Sequence, residues 1–190
     1  MVALCALAAL NSCGGGGERT KVPDTYKVKF ETTKGDFVVE VQKSWAPLGA
    51  ERFYELIKAD YYKDARFFRI VPGFVVQFGL PADPAKADAY AEFPDDPVKQ
   101  SNLKGTLSFA TRGANTRTTQ VFINLGNNAR LDSMGFSPFG AVVEGMDVVE
   151  SLYAGYGEGP NQMQIRSYGN KYLESSFPNL DGIKNATILE

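Results

Sequence analysis

Two segments set polar side chains among apolar ones. Phe67-Phe68-Arg69-Ile70-Val71-Pro72-Gly73-Phe74-Val75-Val76-Gln77 places one guanidinium and one amide among aromatic and β-branched residues. Gly113-Ala114-Asn115-Thr116-Arg117-Thr118-Thr119-Gln120-Val121-Phe122-Ile123 places a second amide two residues before a phenylalanine. A guanidinium stays charged and offers a rigid fork of donors, so these residues suit hydrogen bonding and electrostatic stabilisation. Taken singly they are also ordinary structural residues. An arginine between aromatics commonly packs its stem on a sheet surface. Phe74, Phe122, Leu131 and Phe136 are ordinary core types, and Gln77 or Gln120 could satisfy buried backbone.

Composition removes other chemistries. The chain has 190 residues and no histidine, which excludes Ser-His-Asp and Cys-His machinery and any His-bearing metal site. Its two cysteines are Cys5 and Cys13, so nothing beyond residue 13 can form an internal disulfide or thiolate cluster. With 20 Lys+Arg against 22 Asp+Glu, the formal charge of −2 argues against a protein that tracks phosphates. Asp95-Asp96 is a carboxylate pair in a Pro-rich stretch without further ligands, and reads as solvated. Tyr61-Tyr62 reads as packing.

The elements that must carry these residues are mostly strands. Tyr26 to Glu31 alternates apolar and polar, Thr33 to Asp36 is a turn, and Phe37 to Val41 returns, which predicts a hairpin. Pro47 suits a first helical turn, and Phe53, Leu56 and Ile57 recur at helical spacing over about three turns. Arg66–Ile70 and Phe74–Phe78 read as strands separated by a turn at Pro72-Gly73. In them, alternation sets Phe74 on a different face from Val75. Residues 80–104 look irregular. Leu107–Ala110, Val121–Leu125 and Phe139–Val143 read as further strands. Met146 to Tyr153 reads as a short amphipathic helix, then comes a Gly-rich loop and a closing strand near 186–189. Short strands with two well-separated helices suggest a mainly β fold, an antiparallel barrel whose open ends the helices cap.

Val2 to Leu10 is apolar but too short to span a bilayer, which needs about 20 residues, and it fits a signal-peptide core. Leu10-Asn11-Ser12-Cys13 followed by Gly14 to Gly17 resembles a bacterial lipoprotein signal. This predicts a signal-like segment at 1–12, a lipidated Cys13 with a flexible tether to residue 25, and a domain over 26–190. It places that domain in the bacterial cell envelope, outside the cytoplasmic membrane and touching the membrane only through its lipid. A disordered apolar N-terminus with a free thiol is the alternative.

The two motifs, with Leu131-Asp132 and Gly135 to Gly140, resemble the cyclophilins, a peptidyl-prolyl isomerase family. The likeness runs from about Tyr26 to Gly157, and residues 158–185 look like an extension. It implies a closed eight-stranded antiparallel barrel capped by two helices. It also implies Arg69 as the catalytic arginine, with Gln77 orienting it or the substrate carbonyl. Phe74, Val75, Phe122, Leu131 and Phe136 would form the proline pocket, and Ala110, Thr111 and Gln120 would hold the peptide backbone. Val75 stands where a Met is frequent, and Phe136 where many members have His or Tyr. Proline-containing polypeptides are the implied partners of an expected monomer, with no cofactor, metal or nucleic acid.

The implied reaction is rotation about an X–Pro amide, whose barrier is about 18–20 kcal/mol because resonance stiffens the C–N bond. Uncatalysed exchange takes tens to hundreds of seconds, so reaching ~10³ per second requires roughly 7 kcal/mol. Mid-twist, the proline nitrogen pyramidalises and gains a lone pair that a fixed guanidinium can donate to. The planar ground state offers no such acceptor, so binding favours the transition state. No nucleophile or proton shuttle is needed, in keeping with a chain without histidine. Such an isomerase would assist folding of exported proteins, where X–Pro steps are slow. A non-catalytic peptide-binding or chaperone module on the same barrel, and a lipocalin-like carrier with an apolar lumen, are the other readings.

Overall fold

The computed structural model describes residues 21–189. Residues 1–20 lie outside it, and with them the signal-like segment and Cys13. The chain begins with β1 (Thr25–Thr32) and β2 (Asp36–Gln42), paired antiparallel from Thr25 opposite Gln42 to Glu31 opposite Asp36. The predicted turn is fastened where Thr32 N–H and Oγ1–H both donate to Gly35 O. Helix α1 (Pro47–Lys58) follows, with Pro in its first turn and Phe53, Leu56 and Ile57 buried on one face. Next come β3 (Arg69–Val71), β4 (Val75–Phe78), β5 (Thr106–Phe109), β6 (Val121–Asn124) and β7 (Pro138–Glu144). Helices α2 (Met146–Glu150), α3 (Gln162–Tyr168) and α4 (Asn170–Ser176) precede β8 (Ile183–Leu189).

The eight strands form one antiparallel sheet in the order β3-β4-β6-β5-β7-β2-β1-β8. Its concave side is filled by rings. Phe30, Phe37, Phe53, Tyr62, Phe67, Phe78, Phe109 and Phe139 are all essentially inaccessible. Phe30 stacks on Phe37 with centroids 4.8 Å apart, and Phe53 meets Phe139 at 5.0 Å. This interior is packed with side chains rather than hollow, as a lipid-carrying lumen would have to be. The predicted packing role of Tyr61 and Tyr62 holds, since both are buried in this cluster.

The expected closure is absent, and the sheet is a curled half-barrel. Its end strands, β3 and β8, share no ladder. Across the seam run the isolated bridge between Arg66 and Gly182 and bonds such as Phe67 N–H to Asp181 O at 3.0 Å. The reason is local. β3 is three residues long and starts only after the irregular run 65–68. The Asp181 carboxylate, beside that run, ties the seam to neighbouring loops, accepting from Thr33 Oγ1 at 2.6 Å and Tyr153 N–H at 2.7 Å.

Of the predicted extension 158–185, residues 183–185 belong to β8, and residues 158–182 pack beside β3 and β4. Ile165 of α3, Leu173 of α4 and Leu180 join Phe68 and Leu80 in a second apolar cluster. Each helix has seven residues, and Gly169, at φ +57°, separates them. A Cβ at Gly169 would meet Ala82 O at 2.1 Å, so the corner needs glycine. Helices this short carry too few apolar repeats to register as periodic sequence.

Asp95-Asp96 also departs from expectation, because Asp96 is buried rather than solvated. Its Oδ1 accepts from Leu48 N–H at 3.0 Å and its Oδ2 from Gly49 N–H at 2.9 Å, closing the first turn of α1. Arg117 Nη1 and Nη2 each donate to Asp96 Oδ2 at 3.1 Å. Arg117 Nε lies 3.2 Å from Asp95 Oδ1, and its Cζ sits 4.3 Å from the Phe93 ring centroid. Burial pulls the Arg117 guanidinium below its ordinary value, and the two carboxylates act against that pull. The cap comes from 48 residues away in sequence, where Ala46 at the N-cap offers no side-chain acceptor.

Candidate active site

Strand register assembles the site on the convex face of the sheet. Arg69 lies opposite Gln77, Gln77 opposite Phe122, and Phe122 opposite Ser108, a row across β3, β4, β6 and β5. A period of two puts Val75 and Gln77 on this face while Val76 and Phe78 enter the core. Likewise Val121 and Ile123 point inward, and Phe122 outward.

Phe74 departs from the predicted alternation. It precedes β4, in a turn where its N–H donates to Val71 O at 2.9 Å and Gly73 takes φ +72°. The turn brings the Phe74 ring round to the same side as Val75. Both join Phe122, Leu131, Ala110 and Phe136 in one small apolar cluster. Phe122 and Phe136 meet edge to face at 5.5 Å. Leu131 is supplied by a 3-10 turn over Ala129–Met134, which ends at Gly135 with φ +86°.

A groove of about 620 Å³ opens over this cluster. Arg69, Phe74, Val75, Gln77, Ala110, Thr111, Gln120, Phe122, Leu131 and Phe136 all line it, so the residues singled out in the sequence converge on one surface. Val75, Phe122 and Leu131 are buried at its base. Ala110 N–H donates to Gln120 O at 2.9 Å, continuing the β5–β6 pairing past the strand ends. Thr111 Oγ1 is 2.8 Å from Thr116 Oγ1, which ties the rim loop.

The polar row is hydrogen-bonded end to end. Gln120 Oε1 accepts from Gln77 Nε2 at 2.9 Å, and Gln77 Oε1 accepts from Arg69 Nη1 at 3.2 Å. With its oxygen turned to the arginine, Gln77 must present its NH₂ to Gln120. The Arg69 Cζ is 5.6 Å from the Phe74 centroid, so the cation borders the apolar slot. Its side chain is 25% exposed, neither sealed in nor extended into water.

Arg130, which stands where the family often has a Trp or Phe, flanks the groove. Several other lining residues have no counterpart in the sequence motifs: Arg112 on the rim, and Gln162, Met163 and Arg166 of α3 along one side. Arg130 also lies over Phe74, 4.9 Å from its centroid. Glu158 contacts Arg69 directly, with Oε1 accepting from Nε at 2.6 Å. Nothing in the sequence marks Glu158, because it belongs to a loop whose place beside β3 depends on how residues 154–182 fold. Among the described residues no three His, Cys, Asp or Glu side chains converge as metal ligands.

The family described as cyclophilin type peptidyl-prolyl cis-trans isomerase/CLD matches the chain over residues 27–170. The chain belongs to this family. It is 36% identical over 131 residues to peptidyl-prolyl cis-trans isomerase-like 1 of Emericella nidulans, covering 66% of this chain and 80% of that one. It is 32% identical over 136 residues to a peptidyl-prolyl cis-trans isomerase of Acinetobacter baylyi, covering 66% and 70%. A cyclophilin type peptidyl-prolyl cis-trans isomerase of Cryptosporidium parvum, solved in the presence of the dipeptide Ala-Pro, shares the fold. Its TM-score is 0.66 at 22% identity, covering 86% of this chain and 99% of that one. Membership makes the chain an isomerase of X–Pro peptide bonds.

Proposed function

We propose that this cyclophilin turns X–Pro bonds at the Arg69 groove, with exported polypeptides as its substrates. The observation that carries the reading is the juxtaposition of the Arg69 fork with the Phe74–Val75–Phe122–Leu131 slot. The proline ring enters the slot, where apolar burial of its methylenes contributes about 0.8 kcal/mol each. The edge at Ala110 and Thr111, with Gln120, holds the flanking backbone, so one side of the amide is fixed while the other rotates. Arg69 donates to the nitrogen lone pair as it forms. Gln77 holds the Nη1 end of the guanidinium beside the slot, which reduces the reorganisation needed at the barrier top.

Export rests on the N-terminal sequence, in which nine apolar residues precede Asn11-Ser12-Cys13 and four glycines. A lipid on Cys13 would tether the domain to the envelope, where newly exported chains pass within reach. Metabolic labelling with a lipid precursor should mark the wild type and leave Cys13→Ala unlabelled. Label on neither protein removes the anchor without touching the enzymatic reading.

The enzymatic reading is tested by adding the protein to an Ala-Pro-containing peptide and following cis–trans exchange by NMR. Exchange should accelerate, and amides of Ala110, Gln120 and Phe122 should shift as the peptide binds. Phe122→Ala should weaken both effects together. Shifts without acceleration would favour the non-catalytic peptide-binding module.

A further inference from the structure

The Arg69 guanidinium is gripped from outside both sequence motifs. Glu158 Oε1 accepts from Arg69 Nε at 2.6 Å and lies 2.5 Å from Nη2, so one carboxylate oxygen holds a whole edge of the fork. Gln77 Oε1 holds only Nη1, at 3.2 Å. A guanidinium has five N–H groups, and these contacts still leave one on Nη1 and one on Nη2 for a peptide.

The loop that presents Glu158 is built in. Gly157 O accepts from the N–H of Ile70, the residue beside Arg69, at 3.2 Å. The loop closes on itself through Gly157 N–H to Ala154 O at 3.0 Å and Gly159 N–H to Tyr156 O at 2.8 Å. The Tyr156 ring meets Tyr153 and Phe177, each at 5.1 Å, and so joins the cluster that seats α3 and α4. The Glu158 side chain is 63% exposed, but its backbone is anchored to β3 and to the extension.

We propose that Glu158 is a positioning residue for Arg69, and that the extension forms part of the catalytic groove through it. The proposal rests on the isomerase reading above. An arginine side chain has several rotatable bonds and loses much freedom when fixed. A single bond from Gln77 leaves the plane of the fork free to swing. The second grip, on the opposite edge, sets that plane. Glu158 touches neither the slot nor the position of the reacting amide, so its effect passes through Arg69.

The test is a double-mutant cycle on X–Pro exchange with wild type, Glu158→Ala, Arg69→Ala and the double variant, plus Glu158→Gln. Losing one grip on a partly exposed arginine should lower kcat roughly fivefold with KM unchanged. Glu158→Gln keeps an acceptor oxygen and should recover most of that loss. On the Arg69→Ala background, Glu158→Ala should cost nothing further. The Nε–H signal of Arg69, sharp and slow to exchange in the wild type, should broaden in Glu158→Ala and not in Glu158→Gln. Equal losses in both backgrounds, a faster Glu158→Ala enzyme, or an unchanged Nε–H signal would each overturn the proposal. If Arg69→Ala itself retains full activity, the isomerase reading of Arg69 fails first, and the cycle shows that separately.

Discussion

Arg69 lies on β3 and Arg117 in the loop before β6, each paired with at least one carboxylate and set against an aromatic ring, and they are arranged for opposite purposes. Arg117 is 4% exposed, and its partner Asp96 is 1% exposed. Its Nη1 and Nη2 donate to Asp96, Nη2 donates also to the carbonyl of Pro94, and Asp95 abuts Nε, all away from solvent. Arg69 is 25% exposed, faces an exposed glutamate and keeps N–H groups unengaged above an apolar slot. A fully enclosed guanidinium is out of a substrate's reach and acts as a structural cross-link. A partly satisfied one at the lip of a groove keeps donors available where charge develops. The same residue type becomes fastener or tool according to whether the fold seals it in or leaves it at the lip of a groove.

The contrast is broken most forcefully from the Arg117 side. Asp96→Ala should destabilise the protein by about 3–5 kcal/mol in urea unfolding, because it leaves a buried cation with only Asp95 beside it and opens the first turn of α1. Exchange activity per folded molecule should stay close to wild type. On the other side, Gln77→Ala removes a bond to a charged group and should lower kcat about tenfold, with the unfolding midpoint little changed.

The rest of the comparison shows what a single sequence can carry. The Arg69–Gln77–Phe122 row was legible because strand alternation fixes which side chains share a face, and the motifs fix where the strands lie. The first hairpin and α1 were legible for the same reason. Asp96 was not, since its partners lie 48, 47 and 21 residues away and a Pro-rich neighbourhood reads as solvent. Phe74 was misplaced by applying alternation to a residue that belongs to the turn. Glu158, the two seven-residue helices and the open seam depend on tertiary packing of a segment with little local pattern. Nothing in the fold bears on Cys13, which lies beyond the described residues.

Two smaller effects sharpen the account. Burial would raise the Asp132 carboxyl, but bonds from Ser101 Oγ and from Asn102 outweigh it and hold it below its ordinary value. A depressed carboxyl contributes stability that is present above its unfolded pKa and lost as pH falls through the folded one. Asp132→Asn should therefore be less stable than wild type at neutral pH, by about 1 kcal/mol or less. The gap should close as the pH drops below about 4, as acid-unfolding curves of the two proteins would show. The smallest effect is on rate. With no imidazole in the chain and no proton transferred in the reaction, exchange should vary less than about twofold between about pH 5.5 and 8.

The central claim is that a fixed guanidinium, and not the slot alone, lowers the rotational barrier. Exchange spectroscopy on a proline peptide at saturating concentration, comparing wild type with Arg69→Ala, tests it most directly. The catalysed rate should fall by about a hundredfold or more, the scale of a lost transition-state donor. Peptide affinity and unfolding midpoint should be nearly unchanged. Equal catalysed rates in the two proteins, with the groove still binding peptide, would contradict it.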